Sequence, residues 1–186
     1  MSTTTIIILI VAAAAAALAA FLYYQKRRSE RLHGQFGPEY ERAVSEFGDR
    51  RKAESELERR TKRVERFHIR DLSPEEQSRF SDAWRVQQTR FVDQLDQAVT
   101  EAHRLVTEVM RVRGYPVSGE FEQNAADLSV EHPRVVEHYR AACEIVGQHE
   151  AGRANTEDLR KAMVHYRALF EDLLGAPLHH SEEVRR

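Results

Sequence analysis

Chain breakers are scarce in this sequence. Only 8 glycines and 5 prolines punctuate 186 residues, so the elements between them should be long. Cysteine is scarcer still: Cys143 stands alone, which excludes an internal disulfide framework and any CxxC redox or zinc-knuckle chemistry. A dominant charge sign is also missing. The 28 Lys and Arg side chains nearly balance 30 Asp and Glu, a formal net charge of −2, so whole-molecule electrostatics do not call for a polyanionic partner. No stretch sustains period-two alternation, and strands are not supported. GxxxxGK[ST], GxGxxG, HExxH and a nucleophile elbow are all absent from the sequence, so no cofactor is implied and a non-enzymatic protein is expected.

What is present begins with IIILIVAAAAAALAAFLYY, an uncharged run from Ile6 to Tyr24. At 1.5 Å per residue it extends roughly 28 Å as a helix, close to the hydrocarbon thickness of a bilayer. Tyr23 and Tyr24 fall where an interfacial aromatic belt belongs, and Lys26, Arg27 and Arg28 follow at once. The competing reading is a cleaved secretory signal, for which Ala-x-Ala triplets abound. Against it, MSTTT has no basic n-region and the basic cluster follows the apolar run instead of preceding it. The expectation is a single-pass anchor contacting the membrane through Ile6–Tyr24, with residues 26 onward on the cytoplasmic side of an inner membrane because the positive charge stays inside.

Beyond the anchor, Gly34, Gly37 and Pro38 suggest a basic juxtamembrane hinge over residues 26–37. A helical bundle domain is expected over 38–174, followed by a flexible tail over 175–186. The first bundle segment, roughly 38–67, has helical spacing but a thin apolar stripe: Tyr40, Val44, Phe47, Leu57, Val64, Phe67. Ser73-Pro74-Glu75-Glu76 then carries every mark of a helix start: a capping hydroxyl, proline at the first position and a carboxylate three residues after the cap. From Phe80 and Trp84 through Phe91, Leu95, Ala98, Ala102, Leu105, Val109 and Val112 the apolar spacing stays three and four. The stripe reads as one long central helix over 74–112, or as two helices with a kink near Asp93. Trp84, Phe80 and Phe91 are expected to anchor the core. After the turn RGYPVSGEF comes a short helical segment, then a helix over about 133–149. A cap at Asn155 or Thr156 starts a last helix that stops at Gly175. The fold class is therefore all-α, ending in an antiparallel helix hairpin.

Two places in the chain are candidate sites. DRRKAESELERRTKRVER supplies Arg50, Arg51, Lys52, Arg59, Arg60, Lys62 and Arg63. Together with Lys26, Arg27 and Arg28 these form a possible contact for anionic lipid, or alternatively for nucleic acid. The plainer reading is a solvated helix held by i,i+4 pairs such as Glu56–Arg60 and Glu58–Lys62. Nucleic acid is disfavoured because stacking aromatics are missing from the charged stretch. The second place is a repeat: HYRA occurs in VVEHYRAACEI and again in AMVHYRALFEDL. Tyr139 and Tyr166 lie on the apolar stripes of the last two helices, nearly equidistant from Gly152, so an antiparallel hairpin brings them to one level. His138, Arg140, His165 and Arg167 flank them as a possible polar, anion or metal site. Metal spacing such as HxxxH or ExxH is lacking there, and core tyrosines with polar flanks are the favoured interpretation. Cys143, on the same stripe, is expected to be a buried and inert thiol.

The phrases FGPEYERAV, VMRVRGYPVSGEFEQNAADLSVEHPRVVEHYR and TEDLRKAMVHYRALFEDLL make most of residues 36–174 similar to an uncharacterised group of short bacterial proteins. Its members have an N-terminal hydrophobic segment and a helical remainder. The resemblance implies a bacterial source, a helical fold and membrane placement; it brings no activity, cofactor or catalytic residue. The resulting expectation is an interaction or scaffold module that meets an unidentified protein partner through helix faces.

Overall fold

The computed structural model describes residues 3–91 and 94–175. Among the described residues the protein is all-helical, with no strand, and its eight helices are α1 (Thr3–Phe36), α2 (Pro38–Phe47), α3 (Arg50–Val64), α4 (Pro74–Arg90), α5 (Leu95–Arg113), α6 (Phe121–Glu131), α7 (Val136–Glu150) and α8 (Thr156–Leu174). The chain divides into two compact units, Met1–Glu58 and Arg59–Arg186. The division falls within α3 and not at the Gly37 break from which a single bundle domain was expected to start.

In the first unit α1 runs unbroken for 34 residues, about 51 Å at the helical rise. A long apolar helix is thus present, and Leu9–Phe36 is long and apolar enough to cross a membrane. None of that window's most apolar stretch is buried by protein. The juxtamembrane segment is not a loose hinge: α1 passes through Gly34, and the break is confined to Gly37, whose φ of +49° is left-handed. Pro38 then takes the first position of α2, where its missing N–H costs nothing. The 38–67 segment is likewise two helices. Gly48 at φ +64° terminates α2, with its N–H donating to Val44 O. The Asp49 carboxylate then accepts the Lys52 amide at 2.9 Å and caps α3.

The second unit holds the core. At its entrance the Ser73 hydroxyl accepts from the Glu76 amide and the Glu76 carboxylate accepts from Ser73 N–H, closing a capping box with Pro74 at the first position. Arg70 reinforces it by donating to both oxygens of Glu76 at 2.7 Å. The 74–112 stripe resolves into α4 and α5, the second of the two arrangements considered; Asp93 lies outside the described residues. The central element is α8, which packs on both α5 and α7. It buries Leu159, Ala162, Met163, Tyr166, Leu169, Phe170, Leu173 and Leu174, a stripe broad enough to serve two neighbours. Trp84 of α4 stacks on Phe170 with centroids 4.5 Å apart, so the single tryptophan is a core anchor. The Asn155 carboxamide starts α8 by accepting from the Glu157 and Asp158 amides, and Gly175 at φ +73° ends it. The tail over 176–186 lies outside the described residues.

One glycine is held by packing as well as by dihedral. Gly114, at φ +100°, ends α5 where the segment after α3 crosses it, and a Cβ there would lie 2.4 Å from the His68 carbonyl oxygen. Arg70 N–H donates to Arg113 O at 2.9 Å beside it. Gly114→Ala should therefore lower stability by about 2 kcal/mol or more, combining left-handed strain with displaced backbone. Gly147→Ala, in a helix with open space at the Cβ, should be neutral or mildly stabilising. Urea unfolding of the two variants measures the contrast.

Candidate functional site

The basic residues singled out from sequence do not form one face. Arg28 forks onto Glu58, with Nε to Oε1 at 2.7 Å and Nη2 to Oε2 at 2.8 Å; Arg31 approaches the same carboxylate at 3.5 Å. Glu58 thus serves α1, and not the Lys62 expected from i,i+4 spacing. Arg60 is buried, and Arg63 donates to the buried Asp127 at 3.0 Å. Lys26, Arg27, Arg50, Arg51, Lys52, Arg59 and Lys62 are exposed. Arg28, Arg60 and Arg63 are therefore drawn into the structure, while the other cations stay at the surface.

Within the first unit a polar knot ties the helices together. The Tyr40 hydroxyl donates to Glu54 Oε1 at 2.9 Å, Ser29 Oγ donates to the same oxygen, and Arg50 Nε donates to Tyr40 at 2.9 Å and to Glu54 at 3.2 Å. Arg50 Nη2 also donates to Ser29. Burial opposes ionisation of Glu54, but the hydrogen bonds from Ser29, Tyr40 and Arg50 outweigh it and hold its carboxyl below the ordinary value.

The HYRA repeat converges in part: its histidines meet and its arginines turn to carboxylates. His138 and His165 meet across α7 and α8, one imidazole donating to the other with their Nδ1 atoms 2.9 Å apart. Arg140 is drawn instead toward Glu122 at 3.7 Å, and Arg167 donates to Glu171 at 2.9 Å. The two histidines thus pair with each other, while Arg140 and Arg167 each face a carboxylate. Inside, both tyrosines are buried, and the Tyr166 hydroxyl stands 3.7 Å from Cys143 Sγ. Tyr166 also shares a 2.9 Å hydrogen bond with His103 Nδ1 from α5. Burial pushes the Cys143 thiol up to about 11 and raises both phenols, so all three stay protonated at neutral pH. Burial also lowers His103, which is neutral there despite the nearby Glu150. A protonated thiol beside a neutral imidazole and two phenols is a hydrogen-bonded core cluster, with no thiolate to act as nucleophile.

Sequence reasoning missed Arg113 entirely. Its Nε donates to Arg70 O at 3.2 Å and its Nη1 donates to Leu173 O at 3.1 Å and to His132 Nε2 at 3.2 Å. Guanidinium only donates, so His132 Nε2 accepts and its proton resides on Nδ1, directed at Asp172. That hydrogen bond comes first among the causes that lower the Asp172 carboxyl. The arrangement satisfies a terminal carbonyl of α8 and locks the bundle's end. Among the described residues no group of three or more His, Cys, Asp and Glu is gathered where one metal ion could be held.

No family model, no curated protein and no solved structure matches this chain. Its functional reading therefore rests on its own geometry.

Two outcomes follow from these states. His103 and His165 are both lowered from 6.5, by burial first and for His165 by His138 second. Below about pH 6.5 the unfolded chain takes up protons that the folded chain refuses, so stability is present above that pH and falls as the solution is acidified. Denaturant midpoints between pH 7.5 and 5.5 should show the decline, and the double variant His103→Gln, His165→Gln should flatten it. Cys143 should react with iodoacetamide at pH 8 at least ~10-fold more slowly in the folded protein than in urea, because its thiolate fraction is suppressed.

Proposed function

We propose that this protein is a single-pass, membrane-anchored helical module, held at a bacterial inner membrane with its globular part in the cytoplasm, and that it works by binding a protein partner rather than by catalysis. One observation carries the reading: the apolar half of α1 is left uncovered, with Ile10 63% and Val11 62% exposed and Leu18, Phe21 and Leu22 all above half. Apolar surface costs about 25 cal/mol per Å² in water, so a helix this long needs lipid around it. Tyr23, Tyr24 and the Lys26-Arg27-Arg28 cluster at its far end suit an interface with the cytoplasmic side. The passive state of the Cys143 cluster supports a binding role over a chemical one.

In bacteria expressing the full chain with a C-terminal tag, the protein should stay in the membrane pellet through alkaline carbonate. External protease on spheroplasts should leave the tag intact, and in vivo crosslinking should recover the same partner repeatedly. Release by carbonate would overturn the anchor, digestion from outside would overturn the orientation, and the lack of any reproducible partner would overturn the binding role.

A further inference from the structure

The foot of α1 carries a cleft that neither the anchor nor the core cluster uses. Its volume is about 410 Å³, and it lies between one face of α1 (Leu22, Gln25, Lys26 and Ser29) and the turn into α3 (Asp49, Arg50, Arg51 and Glu54). The α1 residues follow three-and-four spacing, so they share a face. From Leu22 to Ser29 that face covers about 10 Å, comparable to the roughly 5–7 Å headgroup layer on each side of the hydrocarbon core. The uncharged run ends at Tyr24, inside this interval. A bilayer around α1 therefore brings the cleft to headgroup depth.

The charges in the cleft are unequal in availability. Arg50 is offset by Glu54 at 3.2 Å within the polar knot, and Asp49 is occupied as the cap of α3. Lys26 has only the distant Glu30, 3.9 Å away, with both side chains largely exposed, an arrangement that water and salt screen. The exposed Arg51 side chain makes no hydrogen bond or ion pair among the described residues. Two cations thus remain for a ligand, one a flexible ammonium and one a planar fork suited to two phosphate oxygens.

We infer that the cleft at the foot of α1 binds, through Lys26 and Arg51, the phosphodiester headgroup of an anionic phospholipid, with Leu22 lying along the start of its acyl chains. The inference rests on the anchor reading and extends it from general membrane placement to a specific headgroup site. A lipid is favoured over a free phosphate because the cleft is continuous with the apolar face at Leu22, which a soluble anion leaves unused. An anionic headgroup is favoured over a zwitterionic one because a choline ammonium would meet the same two cations.

The test is native mass spectrometry of the full chain in neutral detergent, offered phosphatidylglycerol and phosphatidylcholine in equal amounts. The wild type should retain phosphatidylglycerol preferentially. Lys26→Gln and Arg51→Gln should each lower that preference about fivefold, while Lys52→Gln, outside the cleft, should leave it unchanged. All three positions are exposed, so helical circular dichroism should be the same throughout. Equal retention of the two lipids by the wild type, or an undiminished preference in the Lys26→Gln, Arg51→Gln double variant, would overturn the site. Displacement of the lipid by inorganic phosphate at tens of millimolar would reassign it to a soluble anion and overturn the lipid proposal. Carbonate extraction of the same variants keeps the two claims apart: loss of lipid preference with retention in the membrane pellet speaks to the cleft alone, and release of the wild type speaks against the anchor.

Discussion

The continuity of α1 is the constraint on which the first unit depends. A helix that runs from Thr3 to Phe36 without a break transmits both height and rotation, because each residue adds 1.5 Å and a fixed turn. Whatever surrounds its apolar half therefore also fixes where Lys26, Arg28, Ser29 and Leu32 stand. The Arg28–Glu58 fork and the Ser29–Tyr40–Arg50–Glu54 knot attach α2 and the start of α3 to that rod. Glu54 is the shared acceptor, and its carboxyl lies below the ordinary value because the hydrogen bonds it accepts outweigh its burial. Its contribution to stability is present above about pH 4.5, the ordinary value, and is lost as pH falls through the lower folded value. A loose segment after α1 would have uncoupled α2 and the start of α3 from that rod; a break confined to Gly37 does not.

The second unit is organised by α8, whose apolar surface reaches α5 on one side and α7 on the other. Tyr166 stands where the three helices meet, bonded to His103 and close to Cys143. Burial holds the Tyr139 and Tyr166 phenols, the Cys143 thiol and the His103 imidazole in their neutral forms. Arg113 is charged and has a structural post: it donates to two backbone carbonyls and to His132, which turns toward Asp172. The chemistry of this unit is directed at rigidity.

Local features were legible in the sequence. Ser73 and Asn155 cap their helices as their side chains dictate, Gly114 and Gly175 end theirs, and the three-and-four stripes mark the buried faces. Gly48 was equally local and was passed over, because the charged DRRKAE stretch that follows keeps a helical rhythm across the break. What could not be read were choices among distant partners. Glu58 has Lys62 four residues away and takes Arg28 thirty residues away instead, since a bidentate fork on a packed helix outweighs a screened surface pair. His138 and His165 satisfy no metal spacing along one helix, and their meeting follows only from the hairpin's register. His103 and Arg113 carry no motif at all; their roles arise from α5 lying against α8. The split of the basic stretch into exposed cations and the buried Arg60 likewise depends on packing, which composition does not encode.

The most direct measurement of the central claim is the depth of α1 in a bilayer. In a Cys143→Ser background, nitroxides attached at Ala14→Cys and at Lys52→Cys in the full chain, reconstituted in phospholipid vesicles, report access to oxygen and to a water-soluble nickel chelate. The account predicts that the label at position 14 relaxes with oxygen and is shielded from the chelate, while the label at position 52 shows the reverse. Equal access of the chelate to both positions would contradict it.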